Sequence, residues 1–151
     1  MDAIYFVYDK QPLSHNHTSL EDYKTEIADY FLDKFSSIYT NYHFEHTTDL
    51  QTEILYMVRL KKIDKVTDID NVSKPIIDAF KGVIYDDDGQ VVRRIATRYW
   101  IQAYGLPIFD ATTMPFEVMK AIQKAIDTGL PHIVIMKVKE ADLKNMKGNL
   151  I

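Results

Sequence analysis

Ile54-Leu55-Tyr56-Met57-Val58-Arg59-Leu60 leads through a basic loop into Asp68-Ile69-Asp70-Asn71-Val72-Ser73-Lys74-Pro75-Ile76-Ile77-Asp78-Ala79-Phe80-Lys81-Gly82. Four residues later comes Asp86-Asp87-Asp88-Gly89-Gln90. The first run is rich in Ile, Tyr, Val and Leu, which predicts a well-buried strand. In the second, Ile69, Val72, Ile76, Ile77 and Phe80 recur at helical spacing, with a stop near Gly82. Pro75 disfavours helical geometry at Lys74, so the helix is expected to begin between Asn71 and Lys74. Gln90–Trp100 reads as another strand. Val91, Arg93, Ile95 and Tyr99 fall on one of its faces, and Arg94, Ala96 and Arg98 on the other.

The elements continue to alternate outward from this stretch. Ile4–Tyr8 reads as a strand and residues 12–18 as a polar loop. Thr18 and Glu21 have capping-box spacing. Leu20, Tyr23, Ile27, Tyr30, Phe31, Phe35 and Ile38 recur every three or four residues, the pattern of a core-packing helix. Residues 105–115 read as loop. Phe116, Met119, Ile122 and Ile126 mark a further helix, stopped by Gly129 and Pro131. Ile133–Val138 is the last predicted strand, and residues 139–151 a partly mobile tail. The expected fold is α/β (α+β): a single domain over residues 1–151, with a mixed β-sheet packed by helices.

Composition sets the outer bounds. The 151 residues suit one domain with one core, and 46% apolar with 26% charged residues is ordinary for a globular chain. The absence of cysteine removes disulfides and thiolate metal sites and fits a reducing compartment. The N-terminus lacks the basic and apolar regions of a signal peptide. No apolar run approaches the roughly 20 residues of a membrane span. The expectation is a soluble cytoplasmic protein that does not engage a membrane. A net charge of −4 argues against indiscriminate binding to DNA. The charge is uneven, however. From Arg59 to Arg98 nine Lys and Arg stand against seven Asp, whereas the rest of the chain has nine basic and fifteen acidic residues. A local basic site on an acidic body leaves nucleic acid open as a partner.

The chemistry concentrates between Asp68 and Gln90. Carboxylates packed this closely repel unless a cation holds them. Asp68 and Asp70, two apart, share a face in extended backbone. Hard oxygen ligands on one face suit Mg²⁺ or Mn²⁺. Asp86–Asp88, at the mouth of the next strand, can close on the same site. Lys74 lies one helical turn after Asp70, close enough to pair with it or reach a phosphate, and Asp78 continues that face. Spacing alone leaves two readings open, a metal site and a solvated acidic turn. An EF-hand fails, because Gly89 at loop position six puts Ile84 and Ile95 where oxygen ligands are needed. Asp68-Ile69-Asp70 also looks weakly like the aspartate pair of haloacid-dehalogenase phosphatases, without the apolar strand that should precede it.

In their order these residues resemble the signature of RusA-type Holliday junction resolvases. That signature runs Asp-x-Asp-Asn, Lys, Asp, Gly, then Asp-Asp-x-Gln-Val. Here it is Asp68-Ile69-Asp70-Asn71, Lys74, Asp78, Gly82 and Asp87-Asp88-Gly89-Gln90-Val91. Upstream, Pro12-Leu13-Ser14-His15-Asn16 is similar to the family's Pro-Pro-Ser-x-Asn loop, with Leu13 replacing the second Pro. The resemblance covers roughly residues 4–100. It implies a small homodimeric, Mg²⁺-dependent endonuclease (Mn²⁺ as a substitute) that nicks four-way DNA junctions symmetrically and is often encoded by phages or prophages. By position, it implies Asp68, Asp70 and Asp88 as metal-binding catalytic carboxylates and Lys74 as the catalytic lysine. Asn71, Asp78, Asp87 and Gln90 stand as supporting residues. Two-fold symmetry in the protein matches the approximate two-fold of the junction. Asp86 adds a third acid to the triplet. Residues 101–129 form an extra loop and helix before the last strand and tail at 131–151, read as a packing or dimerisation element.

Lys61, Lys62 and Lys65, with Arg93, Arg94 and Arg98, are the candidates for phosphate contact. Tyr85, just before the acidic triplet, is either core or a surface on which a base stacks. His15 with His17, and His43 with His46, have spacings seen in zinc sites, but nothing completes a first shell, so they read as loop histidines. Two other function classes stay open: a DNA-binding relative with weak or no catalysis, and a hydrolase of small phosphate esters.

Overall fold

A computed structural model describes residues 1–14, 18–59 and 67–144. Within them, β1 (Ile4–Tyr8), β2 (Leu50–Val58), β3 (Val91–Trp100) and β4 (His132–Glu140) form one mixed sheet in the order β1-β4-β2-β3. β4 runs antiparallel to both neighbours, while β2 and β3 are parallel. A parallel pair requires a crossover, and α2 (Ile69–Ala79) supplies it. The other helices are α1 (Leu20–Lys34), α3 (Ile101–Tyr104) and α4 (Phe116–Asp127). The α+β single domain with a mixed sheet is thus the observed fold. Among the described residues, no helix is long and apolar enough to cross a membrane.

Register decides where the core lies. Phe6 stands opposite Met136, Met136 opposite Ile54 and Ile54 opposite Ala96, so all four share one face. α1 and α2 pack against that face. The Phe6 ring lies 6.3 Å from Phe31 of α1, 6.0 Å from Phe35 and 5.2 Å from Phe80 just past α2, each edge-on. α4 packs against β1 and β4 with Val118, Ile122 and Ala125 buried, while Tyr5, on the face away from Phe6, bonds to Thr113 at 2.7 Å. β1 is therefore buried on both faces, which explains its uniformly apolar and aromatic sequence. β3, at the opposite edge, is the least buried of the four strands.

Several boundaries differ from the sequence reading. The N-cap position of α1 is Ser19, not Thr18, and the helix ends at Lys34, with a 3₁₀ turn over Ser36–Ile38. β2 begins at Leu50, ahead of the apolar run, because pairing with both β3 and β4 draws the buried polar residues Gln51 and Thr52 into the sheet. α2 begins at Ile69, with Pro75 inside it. Val72 N–H donates to Asp68 C=O at 3.0 Å, so a turn is already closed before Pro75, which then forgoes only its own bond to Asn71. α4 buries Val118 instead of Phe116 and Met119, which are 69% and 43% exposed. β4 runs to Glu140, paired with Leu50, so residues 139 and 140 belong to the sheet and not to a tail.

Candidate active site

The crossover from β2 to β3 builds the site. Asp68 is the N-cap of α2, its backbone still extended, and Asp70 is the helix's second residue, so the pair straddles a helix start and does not share one extended run. Both still face one open groove of about 540 Å³, lined also by Ile69 and by Ala96, Thr97, Arg98 and Trp100 of β3. The positive end of the helix favours carboxylates here. Arg98 Nη1 donates to the Thr67 carbonyl at 3.3 Å, and its guanidinium stands 5.3 Å from the centre of the Trp100 ring. This arginine fixes the backbone entering the acidic motif.

Further along α2, Lys74 Nζ lies 3.7 Å from Asp78 Oδ2. It thus pairs forward with Asp78 and not back with Asp70. Lys24 of α1 reaches the same oxygen at 3.9 Å. Asp78 Oδ1 is buried without a hydrogen-bond partner among the described residues. Asn71 is half-buried in the first turn of α2.

The chain then reverses to bring the second acidic run back. Gly82 has φ of 80°, a left-handed conformation that L side chains rarely adopt, and its N–H donates to the Tyr85 carbonyl at 2.7 Å. Tyr85 is fully buried and its hydroxyl donates to the Ile77 carbonyl. It is core, and no base can stack on it. Burial pushes its phenol pKa up, as does the Asp78 charge, while Arg94 opposes the shift, which places Arg94 near this end of the site.

Gln90 holds the acidic turn. It is 8% exposed. Its Nε2 donates to the carbonyls of Glu45 and Thr48 at 2.9 and 3.2 Å, and its Oε1 accepts from the N–H groups of Asp86 and Asp87 at 2.9 and 3.1 Å. Every donor and acceptor of the amide is thereby used to tie the turn to the 45–48 loop. The neighbouring Asp87 and Asp88 carboxyl groups act on one another, which raises the Asp88 pKa and lowers that of Asp87. Burial and the Asp78 charge push Asp88 up further, whereas the Gly89 N–H and Lys81 favour ionised Asp87. The third acid turns elsewhere: Asp86 Oδ1 lies 2.8 Å from His43 Nε2. His43 Nδ1 lies 2.9 Å from the Val83 carbonyl, and that bond, followed by Asp86, holds the imidazole pKa above its ordinary value. The sequence alone reads His43 as a loop histidine. Its partner is 43 residues away, and no local periodicity links the two.

Among the described residues, no three carboxylate or imidazole groups converge into a ready-made metal shell. The groups nevertheless fit a hard divalent cation: they are all carboxylates, Asp78 Oδ1 is buried without a hydrogen-bond partner among the described residues, and Asp87 followed by burial holds the Asp88 pKa above its ordinary value. Of the phosphate-contact candidates, Arg94 and Arg98 share a face of β3 with the groove. Arg93 lies on the opposite face, donating to Gln51 Oε1 at 3.0 Å. Lys61, Lys62 and Lys65 lie outside the described residues, as do His15 and His17. His46 is exposed.

The family model for Endodeoxyribonuclease RusA matches residues 11–108. No curated protein matches the chain at a significant level. The matched segment runs from the loop before α1 through α3, and so contains the groove, the Lys74–Asp78 pair and the acidic turn. With the signature residues gathered around one helix crossover, the chain belongs to the RusA endodeoxyribonuclease family.

Proposed function

We propose that this protein resolves four-way DNA junctions by paired, symmetric nicking, acting as a homodimer that uses Mg²⁺ or, in its place, Mn²⁺. One observation carries the reading. Asp68 and Asp70 open into a groove whose opposite wall is Arg98 and Trp100, so metal-holding and phosphate-contacting groups meet on one surface. Asp68, Asp70 and Asp88 would hold the cation. When bound, it supplies Lewis acidity toward the scissile phosphate. Lys74 is 45% exposed on its side chain and has only a 3.7 Å ion pair to leave. It can swing from Asp78 to a phosphate oxygen and stabilise charge developing there. Asp78 keeps a second cation, Lys24, when Lys74 departs. Asn71, Asp87 and Gln90 support the two acidic segments, and Arg94 and Arg98 bind backbone phosphates.

The whole chain acts as one such domain in this reading, with residues 101–129 contributing to self-association. Ile108, Phe116 and Met119 are exposed on that segment and offer apolar surface to a second copy. The deciding assay uses a labelled mobile four-way junction with and without Mg²⁺, beside linear duplex of the same sequence. Paired nicks in the junction alone, lost in Asp70→Asn with binding retained, are the expected result. Equal cutting of both substrates would remove junction selectivity. Binding without nicking in either metal would leave a non-catalytic relative, and turnover of a phosphomonoester a different hydrolase.

A further inference from the structure

The segment from Val83 to Gln90 is latched to the loop before β2 by three kinds of contact. Phe44 N–H donates to the Ile84 carbonyl at 2.8 Å. Gln90 ties the backbone of Asp86 and Asp87 to Glu45 and Thr48. His43 spans from the Val83 carbonyl to the Asp86 carboxylate. The loop presents His43 in a fixed attitude, because its own N–H donates to Asn41 Oδ1 at 3.0 Å. Val83 C=O and Asp86 are acceptors on both sides of one ring, an arrangement fully satisfied only when both ring nitrogens carry protons.

We propose that His43 is a positioning residue that draws Asp86 out of the carboxylate cluster and thereby fixes where Asp88 stands. The inference rests on the reading of Asp88 as a metal-holding carboxylate. Three consecutive aspartates can present any of their carboxylates to a cation. Once Asp86 is bonded to His43 and the Asp86 and Asp87 N–H groups are bonded to Gln90, the turn is held from two sides, and the position of the next residue, Asp88, is set with it. Residues that orient a metal ligand without touching the metal commonly alter affinity by about tenfold or more.

Mn²⁺ titration of the protein alone, followed by calorimetry and by the electron paramagnetic resonance signal of free Mn²⁺, tests this without any DNA. Weakening by about tenfold in His43→Ala and in Asp86→Ala is expected, with no further loss in the double variant. Asp86→Asn keeps an acceptor for His43 Nε2 and should bind within about threefold of wild type, a rescue that general destabilisation does not produce. Thermal unfolding of each variant records whether it is folded. Abolished binding in Asp86→Asn overturns the proposal, because Asp86 would then be a ligand itself. Wild-type binding in His43→Ala, alongside lost binding in Asp70→Asn and Asp88→Asn, overturns the His43 assignment alone. Wild-type binding in Asp70→Asn and Asp88→Asn overturns the metal-site reading, and this proposal with it.

Discussion

Lys24 of α1 and Lys74 of α2 converge on one carboxylate oxygen, Oδ2 of Asp78, at 3.9 and 3.7 Å. The two lysines are not equivalent. Lys24 bridges two helices and its side chain is 21% exposed, whereas Lys74 pairs within its own helix and is 45% exposed. Lys74→Ala should therefore cost less than about 0.5 kcal/mol of stability, as exposed pairs within a helix do, and abolish nicking. Lys24→Ala should cost about 1 kcal/mol, because Lys24 is the more buried lysine, ties α1 to α2 and also pairs with Glu21 at 3.3 Å. Urea denaturation and junction nicking, measured side by side, separate the two roles. Equal losses of activity in both variants would contradict the division.

Phe6 and Phe116 give a contrast in packing. Phe6 touches rings from β1, α1 and the end of α2, whereas Phe116 is 69% exposed. Phe6→Ala is expected to cost about 3–5 kcal/mol through the cavity it leaves. Phe116→Ala is expected to stay within about 0.5 kcal/mol in the monomer. Chemical denaturation at low protein concentration checks both.

His132 makes stability depend on pH. Burial lowers its pKa below the ordinary histidine value. The Tyr56 hydroxyl, its pKa pushed up to about 12 mainly by burial, lies 2.6 Å from His132 Nδ1. Since the unfolded chain takes the proton more readily, stability contributed by neutral His132 is complete above the unfolded pKa of ~6.5 and is lost as pH falls through the folded value. Thermal unfolding at stepped pH should show this acid-side decline, and His132→Gln should flatten it. An unchanged slope in the variant would assign the decline to other groups.

On β3, Arg98 lines the groove, Arg94 shares its strand face and Arg93 lies on the other. Arg98→Ala should weaken junction binding and reduce the salt slope by about one counterion, while Arg93→Ala leaves the slope unchanged. Anisotropy of a labelled junction across a salt series measures it. Trp100, the chain's one tryptophan, lies against Arg98 and offers an independent fluorescence signal at the groove.

What sequence reading reached follows from where the information is local. β1, the strand after the acidic triplet and the helix between the two acidic runs were legible because apolar period and turn residues lie within each element. The start of β2 was not, because Gln51 and Thr52 are in the sheet through pairing on both sides, which no local pattern records. Pro75 misplaced the onset of α2, since a tertiary demand for a crossover outweighed a local preference. The acidic residues were legible as a set, but their partners were not. Asp78's second lysine, Gln90's four contacts and the His43–Asp86 bond all join segments distant in the chain.

β3 is an edge strand of the sheet, ten residues long and the least buried of the four. A strand of this kind is a template on which another chain can assemble, and natural proteins guard such edges with charge. Arg93, Arg94 and Arg98 provide that guard. Two of these guanidinium groups, Arg94 and Arg98, are also those proposed to hold nucleic acid, so the same charge protects the protein from itself: a variant stripped of all three should lose solubility as well as DNA, and its loss of activity would report aggregation unless the soluble fraction is measured first.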